Sequence, residues 1–434
     1  MTWKLTFALL SSLSLAAAQN MTAVEKKIVE SIEADMPSAV SLLEQLVNIN
    51  SGSLNAAGVK KVGDVLRPEF EALGFQVRWI PMDEVKRGGH LVAERKGTKG
   101  KRVLFVGHMD TVFELTSPFQ KWVRNGNTAT GPGTSDMKGG LVILLSALKA
   151  MHRAGALDDT TITVFLTGDE ERVGEPISIS RRDLIEAAKR SDVALEYEPG
   201  TRIEGREFGT IARRSSSSWT LRVTGKEGHS SGIFNPRAGA GAVYEISRIL
   251  AAFYDQLREP GTTFNAGILL GGAQVQFDEA KLTGSVNAKT NIIPPVAVAS
   301  GDLRTVTDEQ TDRIRAKMKE IVAKSLPGTS AEITFEDRYP AMAATEGNKE
   351  LLKILNDVNR DLNMETMEAL DPSRRGAGDL SFVAPYVSGI SGLGANGQGA
   401  HAPGESVDLT RLPVQTRRSA LFIYRLTHET KSAL

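Results

Sequence analysis

Carboxylate and imidazole side chains occur along the chain just after strand-like or glycine-rich segments. They are His108, Asp110, Asp136, Asp169, Glu170, Glu171, Glu198 and His401. Imidazole nitrogen combined with carboxylate oxygen suits zinc, whereas a set made only of oxygens suits magnesium or calcium better. The sequence therefore predicts two bound Zn²⁺ ions, for which Co²⁺ or Mn²⁺ are substitutes.

Two neighbouring metal ions need a carboxylate that bridges them, and Asp136 is the candidate. Ions about 3.5–4 Å apart can polarise a carbonyl and share a water whose pKa falls from about 15.7 to about 7. Asp136 ends the glycine-rich run 131–136, where a short side chain can be held with little freedom. Taken alone, Asp136 would be read as the N-cap of the next helix. The other acids and histidines favour the bridging role.

The remaining members of the set divide into ligands and groups that move or orient protons. His108 would bind one metal, and Asp110, two residues on in an extended segment, would orient its imidazole. In the run 169–171 neighbouring acids point to different sides, so one glutamate can bind metal while the other acts as a general base. The alternative is a solvated acidic loop, but a metal ion would offset the repulsion among three adjacent acids.

The elements that must position these groups are typical of an α/β sheet. The apolar runs 103–106 and 162–166 indicate buried parallel strands, and ligands in open α/β sheets bind beyond the carboxyl ends of such strands. Strand-like and helix-like segments alternate from 59 to 190, with a helix over 138–152, after a helix pair over 23–47. The predicted fold class is a catalytic α/β domain with a mostly parallel sheet.

A second, smaller domain interrupts the first. The polar run 213–218 leads into an alternating strand; helices follow over 238–253 and 308–324, and strands over 267–277 and 282–291. This β-α-β-β-α-β order is that of a ferredoxin-like α+β domain. The serines at 215–218 can be read as a linker or as an ordinary strand start. The predicted boundaries are 19–212 and 338–434 for the catalytic domain and 213–337 for the dimerisation (lid) domain.

Composition limits the partners and the chemistry. The 434 residues contain 52 Lys plus Arg and 52 Asp plus Glu, so no net field favours a nucleic acid or an anionic membrane. Cysteine is absent, which excludes disulfides, cysteine nucleophiles and cysteine-ligated zinc.

The first 18 residues have the layout of a secretory signal. Lys4 precedes an apolar stretch over 5–15 and three alanines, which predicts cleavage after Ala18. The alternative is an apolar N-terminus of the folded protein. The stretch is short for a membrane span, which needs about 20 apolar residues. The mature protein is expected to be exported to the periplasm or secreted, without a membrane attachment.

Five motifs in order resemble the zinc peptidases of the aminoacylase and glutamate carboxypeptidase family, and most of all its bacterial glutamate carboxypeptidases. The motifs lie at 107–111, 131–140, 169–171, 198–199 and 400–401. Their order and spacing match over nearly the whole mature chain. The resemblance implies two zinc sites that share a ligand: His108, Asp136 and Glu198 for one, and Asp136, Glu171 and His401 for the other. It also implies that Glu170 is the catalytic base and that the Asp136–Met137 peptide is cis.

Within the second domain the resemblance implies further roles. His229 would reach across a dimer interface to stabilise the oxyanion, although a turn histidine is the alternative. Asn291 and Arg304 would contact substrate, and Arg338 would grip its free carboxylate, for which a guanidinium fork is better suited than lysine. In the first domain Arg206 is a candidate for a second substrate carboxylate.

The sequence thus predicts an exported, homodimeric dizinc hydrolase of amide bonds. A metal-bridging water, deprotonated by Glu170, would release a C-terminal amino acid from a small peptide or an N-acyl amino acid. Glutamate is one candidate, left open because segments 172–179 and 373–379 depart from the family pattern. One alternative is an aminoacylase, dipeptidase or desuccinylase of the same fold. A second is a metal phosphoesterase, but this sequence has no phosphate-binding glycine loop. A third is a noncatalytic binding protein, and the presence of Glu170 counts against it.

Overall fold

A computed structural model describes residues 21–233, 235 and 237–428. The predicted signal peptide and its cleavage site lie outside the described residues. Among these residues no helix is both long enough and apolar enough to cross a bilayer.

Eleven α-helices are found in the described chain. In order, α1 to α11 span Ala23–Glu30, Met36–Val47, Ala56–Glu71, Lys138–Arg153, Ile177–Ser180, Arg182–Ala188, Ala242–Gln256, Asp308–Ala323, Glu346–Asp361, Leu380–Val383 and Leu412–His428. Several begin at a side-chain cap, as where the Thr22 hydroxyl accepts from the Glu25 amide and the Glu25 carboxylate accepts from the Thr22 amide.

Twenty-one strands are found in the same residues. In order, β1 to β21 span Gln76–Met82, Arg87–Arg95, Lys99–His108, Val123–Asn125, Thr128–Thr130, Thr160–Thr167, Val193–Glu196, Thr201–Ile203, Arg206–Gly209, Ser216–Gly225, Gly228–His229, Thr263–Gly272, Gln274–Asp278, Thr283–Asn287, Ile292–Ile293, Val296–Arg304, Thr329–Tyr339, Glu368–Ala369, Ser388–Ile390, Gly397–Gln398 and Ser406–Asp408.

The chain folds as two compact units. Of the described residues, the first unit contains those up to 211, 344–370 and those from 382 onward, and the second contains 212–343 and 371–381. The second unit therefore extends beyond the predicted range 213–337 at its C-terminal side. It also takes in 371–381, which the sequence analysis assigned to the catalytic domain. The Arg213 guanidinium donates to the carbonyl of Ala377, which ties that segment to the second unit.

A six-stranded sheet organises the first unit, in the order β1-β2-β6-β3-β7-β19. Strand β3 runs parallel to β6 and β7, and β7 runs parallel to β19, while β2 is antiparallel to β1 and β6. The run 103–106 is buried because helices cover the sheet: α11 packs against β3 and α4, and α3 packs on β1 and β2. The predicted fold class, a mostly parallel α/β sheet, is confirmed.

The second unit has the predicted β-α-β-β-α-β order, formed by β10, α7, β12, β16, α8 and β17. Its antiparallel sheet has the order β12-β16-β10-β17. Trp219, Leu221 and Val223 alternate inward along β10 and form the core with α7 and α8. The ferredoxin-like prediction is therefore confirmed at the level of the fold.

Three element predictions in this unit were wrong in their bounds. The predicted strand 267–277 is broken after Gly272, because its partner β16 begins at Val296, opposite Gly272. The chain then forms a separate hairpin of β13 and β14, which ends at Asn287 rather than continuing to 291. Helix α7 begins at Ala242 rather than 238, because Gly239 and Gly241 have φ near +80°, outside the helical region.

Candidate active site

The site lies in the first unit, at the carboxyl ends of three adjacent strands. His108 is the last residue of β3, the acids 169–171 follow β6, and Glu198 follows β7 by two residues. Because β6, β3 and β7 are neighbours and run parallel, their carboxyl ends meet at one edge of the sheet. The order of the strands thus brings together groups that are 90 residues apart in sequence.

A glycine-rich loop brings Asp136 to this edge. Gly133 has φ +78°, which favours glycine, and the Asp136–Met137 peptide is cis, as predicted. Helix α4 has Met137 as its N-cap, without a side-chain cap. The N-cap alternative for Asp136 is therefore wrong.

The carboxylate of Asp136 lies between two imidazoles. Its Oδ1 is 3.2 Å from Nε2 of His108, and its Oδ2 is 3.1 Å from Nε2 of His401. Each imidazole has a second carboxylate beside the same nitrogen. Oε1 of Glu198 is 3.1 Å from His108, and Oε2 of Glu171 is 3.0 Å from His401. The structure therefore brings together the five predicted metal ligands in two groups that share Asp136.

The other ring nitrogen of His108 faces Asp110. Nδ1 lies 3.1 Å from the carbonyl oxygen and 3.4 Å from Oδ1 of Asp110, both of which can only accept. The proton of the neutral ring therefore belongs on Nδ1, which leaves the lone pair of Nε2 directed at the carboxylates. Asp110 is itself held by the Ser53 hydroxyl at 2.6 Å. This is the arrangement by which carboxylates orient metal-binding histidines.

Glu170 lies in the same group of side chains. One ligand atom each from His108, Glu170 and Glu198 lie within 4.8 Å of one another, and the same holds for His108, Asp136 and Glu171. The Glu171 side chain is only 5 % exposed, so the solvated-loop alternative does not describe it. The backbone amides of Glu170 and Glu171 donate to the Asp110 carboxylate at 3.0 and 3.1 Å.

Mutual charge stabilisation shifts the pKa values of these groups. Hydrogen bonds to Asp136 and Glu171 raise the pKa of His401 to about 11. Burial opposes the charging of His108, but the surrounding carboxylates raise its pKa well above the ordinary value. Burial would raise the pKa of Asp136, yet the two imidazoles bring it below the ordinary range. Burial also raises the pKa of Glu171 to about 7.

The donor set fits a pair of metal ions. Four carboxylates, including Glu170, converge on two imidazole nitrogens, and only a cation can satisfy both the nitrogen lone pairs and the acids. A proton on each Nε2 does so weakly, whereas a divalent ion would bind both kinds of donor. Nitrogen and oxygen ligands of this kind suit zinc.

Glu405 is a residue of this site that the sequence analysis missed. Its Oε1 accepts from the amides of Ser135 at 2.8 Å and Asp136 at 2.9 Å, and its Oε2 accepts from the amide of Gly133 at 3.0 Å. The only signal for it was an acid four residues after His401. Lys138, also unassigned, is buried; it donates to the carbonyl of Ile49, and burial lowers its pKa to about 7.

The other predicted residues are not in this cluster. Arg206 is exposed and pairs with Glu368 at 2.8 Å. The second unit contains His229, Asn291, Arg304 and Arg338.

Within that unit these four residues form two groups. The amide of Ser230, next to His229, donates to the carbonyl of Asn291, so those two segments are adjacent. Arg304 and Arg338 line one pocket of about 340 Å³ on the polar face of the sheet.

One protein family and two known enzymes match the sequence of the chain. Residues 104–425 match the model of peptidase family M20/M25/M40. Carboxypeptidase G2 of Pseudomonas sp. (strain RS-16) is 31 % identical over 402 residues, which cover 90 % of each protein. Succinyl-diaminopimelate desuccinylase of Nitrosospira multiformis is 24 % identical over 388 residues, covering 85 % of this chain and 92 % of that enzyme.

Two solved structures share the fold. A dinuclear metal-binding peptidase of the M20 family from Bacillus subtilis superposes with a TM-score of 0.62 at 16 % identity, covering 91 % of this chain and 99 % of that one. The aminopeptidase PepT of Bacillus cereus superposes with a TM-score of 0.69 at 18 % identity, covering 93 % of this chain and 98 % of that one.

Proposed function

This chain belongs to peptidase family M20/M25/M40, and from that premise we propose that it is a zinc-dependent exopeptidase or amidohydrolase. As a member of the family it is a hydrolase of amide bonds. The finer proposal is that it releases a C-terminal amino acid from small peptides or N-acyl amino acids. The observation that carries the metal part is the carboxylate of Asp136, each oxygen of which faces a different imidazole.

The residues of the first unit would have three roles in the reaction: metal ligand, general base and orienting carboxylate. His108, Asp136 and Glu198 would hold one ion, and Asp136, Glu171 and His401 the other. When bound, the two ions would polarise the amide carbonyl and lower the pKa of a water molecule. Glu170, whose carboxylate lies within 4.8 Å of the ligand atoms of His108 and Glu198, would take a proton from the attacking water and deliver it to the leaving amine. Asp110 keeps the His108 ring oriented.

Release of a C-terminal residue is supported by the name of the carboxypeptidase relative and by the arginines of the second unit. Arg338 would bind the free carboxylate of the amino acid that is released, aided by Asn291 and Arg304. The pocket that Arg304 and Arg338 both line supports a common role. A role for Arg206 with a second substrate carboxylate has less support, because Glu368 already pairs with it.

Assembly and location are part of the same proposal. The enzyme would be a homodimer through the second unit, in which His229 serves the site of the partner subunit. The exposure of the His229 ring supports such a role. The protein would be exported to the periplasm or secreted after removal of residues 1–18.

A panel of substrates tests the proposal. Zinc-loaded enzyme would be given N-acyl amino acids and dipeptides that differ in the C-terminal residue, together with an N-succinyl amine. Release of free amino acid from one class is expected. Exclusive cleavage of the succinyl compound would favour the desuccinylase alternative, to which the relative from Nitrosospira multiformis points. No cleavage of any member would contradict the proposal.

Glu170→Ala tests the assignment of the base. The variant should bind two zinc ions, yet its kcat should fall by about 10²–10⁴-fold, because general-base catalysis contributes that much. Glu186→Ala, which removes an exposed acid on α6, is the matched control and should keep the wild-type kcat. Full turnover by Glu170→Ala would show that another group takes the proton.

A further inference from the structure

The loop that carries Glu170 and Glu171 is closed by one buried imidazole. The loop begins after β6 and ends at α5. The amide of Gly168 donates to Nδ1 of His90 at 3.3 Å, and Nε2 of His90 lies 2.9 Å from the carbonyl of Ser180. Because Nδ1 accepts a hydrogen bond, the proton of the ring is on Nε2, which donates to Ser180. His90, on β2, thereby fixes both ends of the loop.

A buried ion pair fixes the interior of the same loop. The guanidinium of Arg181 donates to Oδ1 of Asp169 at 2.6 Å and to the carbonyl of Asp169 at 3.1 Å. The other carboxylate oxygen, Oδ2, accepts from the amide of Gly174 at 2.8 Å. Both charged side chains are 0 % exposed. Three donors and the backbone therefore determine the position of Asp169.

Placing this pair away from water has a free-energy cost that its Coulomb attraction offsets only when the geometry is accurate. An ion pair at the surface could hold the loop with a smaller desolvation cost. The benefit of burial is precision, because the residue after Asp169 is Glu170. On the opposite flank the amides of Glu170 and Glu171 are held by Asp110, so the backbone of 169–171 is fastened from both sides.

We propose that Arg181 is a positioning residue for the general base and for one metal ligand of this enzyme. It acts through Asp169: by fixing that residue it sets the direction in which Glu170 and Glu171 leave the backbone. The inference rests on the roles given to those two glutamates in the proposed function. The proposal also explains the path of segment 172–181. This segment folds back so that the buried side chain of Arg181 contacts Asp169.

Arg181→Met tests the inference, and the neighbouring arginine provides a matched control. Arg182 is 60 % exposed and pairs with Asp183 at the surface, so Arg182→Met removes the same group one position away without touching the loop. Asp169→Asn, which keeps the shape of the side chain, is measured beside them. Each purified variant is compared with wild type in circular dichroism, in a calorimetric titration of the metal-free protein with Zn²⁺ alone, and in kcat and KM.

The expected result separates positioning from mere stability. Arg181→Met and Asp169→Asn should bind the first Zn²⁺ as wild type does and the second about 10–100-fold more weakly, because only the site containing Glu171 is disturbed. Their kcat should fall by about 10²-fold, as for a catalytic group displaced by about 1 Å, with KM within about threefold of wild type. Arg181→Lys should recover part of the second-ion affinity, and Arg182→Met should match wild type throughout.

Wild-type affinity for both ions and wild-type kcat in folded Arg181→Met or Asp169→Asn would overturn the proposal. An equal loss of both ions would also overturn it, because that result indicates general destabilisation. If no substrate is cleaved by wild-type protein, the proposed function fails, while the zinc titration still decides whether Arg181 positions the Glu171 site.

Discussion

Asp136 is the residue shared by the two groups of predicted metal ligands. Its two oxygens face His108 and His401, which lie 293 positions apart by their residue numbers. In the proposed dizinc site a shared ligand would have to be held accurately, since an error in its position would disturb both metal sites. The carboxylate of Glu405 holds the loop that carries Asp136, because it accepts hydrogen bonds from three backbone amides of that loop.

Glu405→Gln should therefore weaken binding of both zinc ions, by about 10–100-fold, as other substitutions behind metal ligands do. The amide group of glutamine would direct N–H donors at backbone N–H donors that now meet oxygen. Calorimetric titration of the metal-free protein with Zn²⁺ measures the effect without any substrate. Unchanged affinities would show that the loop is rigid without Glu405.

The sequence indicated the predicted metal ligands, which the structure brings together, better than it indicated the residues that support them. His108, Asp136 and His401 stand in recognisable motifs, whereas Glu405 is a single acid in a loop. Arg181 is one of two adjacent arginines, and only the path of the loop decides that it is buried while Arg182 is exposed. Such support depends on the backbone conformation, which no residue type encodes alone.

At the scale of elements, β9 is joined to α11 through charge. Glu207 on β9 accepts from the guanidinium of Arg418 on α11, and its Oε1 lies 3.0 Å from Arg411 and 2.6 Å from the amide of Asn396. Burial would raise the pKa of Glu207, but Arg418 and the other partners lower it to about 2. Arginine stays charged at any ordinary pH, so the pair is lost only when Glu207 is protonated.

Glu207→Gln should lower the free energy of unfolding near pH 7 by about 3 kcal/mol, the amount that corresponds to the depressed pKa. The folded pKa lies below the unfolded value, so this stability is present in full above about pH 5 and is lost as the pH falls towards 2. Urea unfolding of both proteins between pH 3 and 7 tests the sign. A difference that stays constant or grows at low pH would contradict it.

Strand prediction succeeded where burial dominates the sequence and failed where pairing ends. The runs in β3 and β6 are apolar because both faces of the sheet are covered, and that pattern is visible in the sequence. The break after Gly272 has no such signal, because it depends on where the partner strand β16 begins. A residue-by-residue pattern contains no information about the length of a neighbour.

At the scale of the whole molecule, the proposed function requires two subunits for each reaction. If His229 serves the partner's site, a Glu170→Ala subunit paired with a His229→Ala subunit forms one intact site and one site lacking both groups. Each variant alone should be nearly inactive. This arrangement makes the assembly testable by mixing.

Mixing equal amounts of the two variants, with unfolding and refolding to exchange subunits, should restore about a quarter of wild-type activity, because half of the dimers are mixed and each has one working site. Sedimentation measures the dimer directly, and an unmixed refolding of each variant is the control. Absence of any recovery in a protein that sediments as a dimer would assign His229 to its own subunit or to no catalytic role.

The discontinuous first unit has a consequence for biosynthesis. Strand β19, which completes the parallel edge of the sheet beside β7, begins at Ser388, and His401, Glu405 and α11 follow it. Translation must therefore proceed past Glu405 before the first unit has this edge strand, its second imidazole and the acid that holds the Asp136 loop. Chains that end before Ser388 lack all three, so they cannot form the complete site.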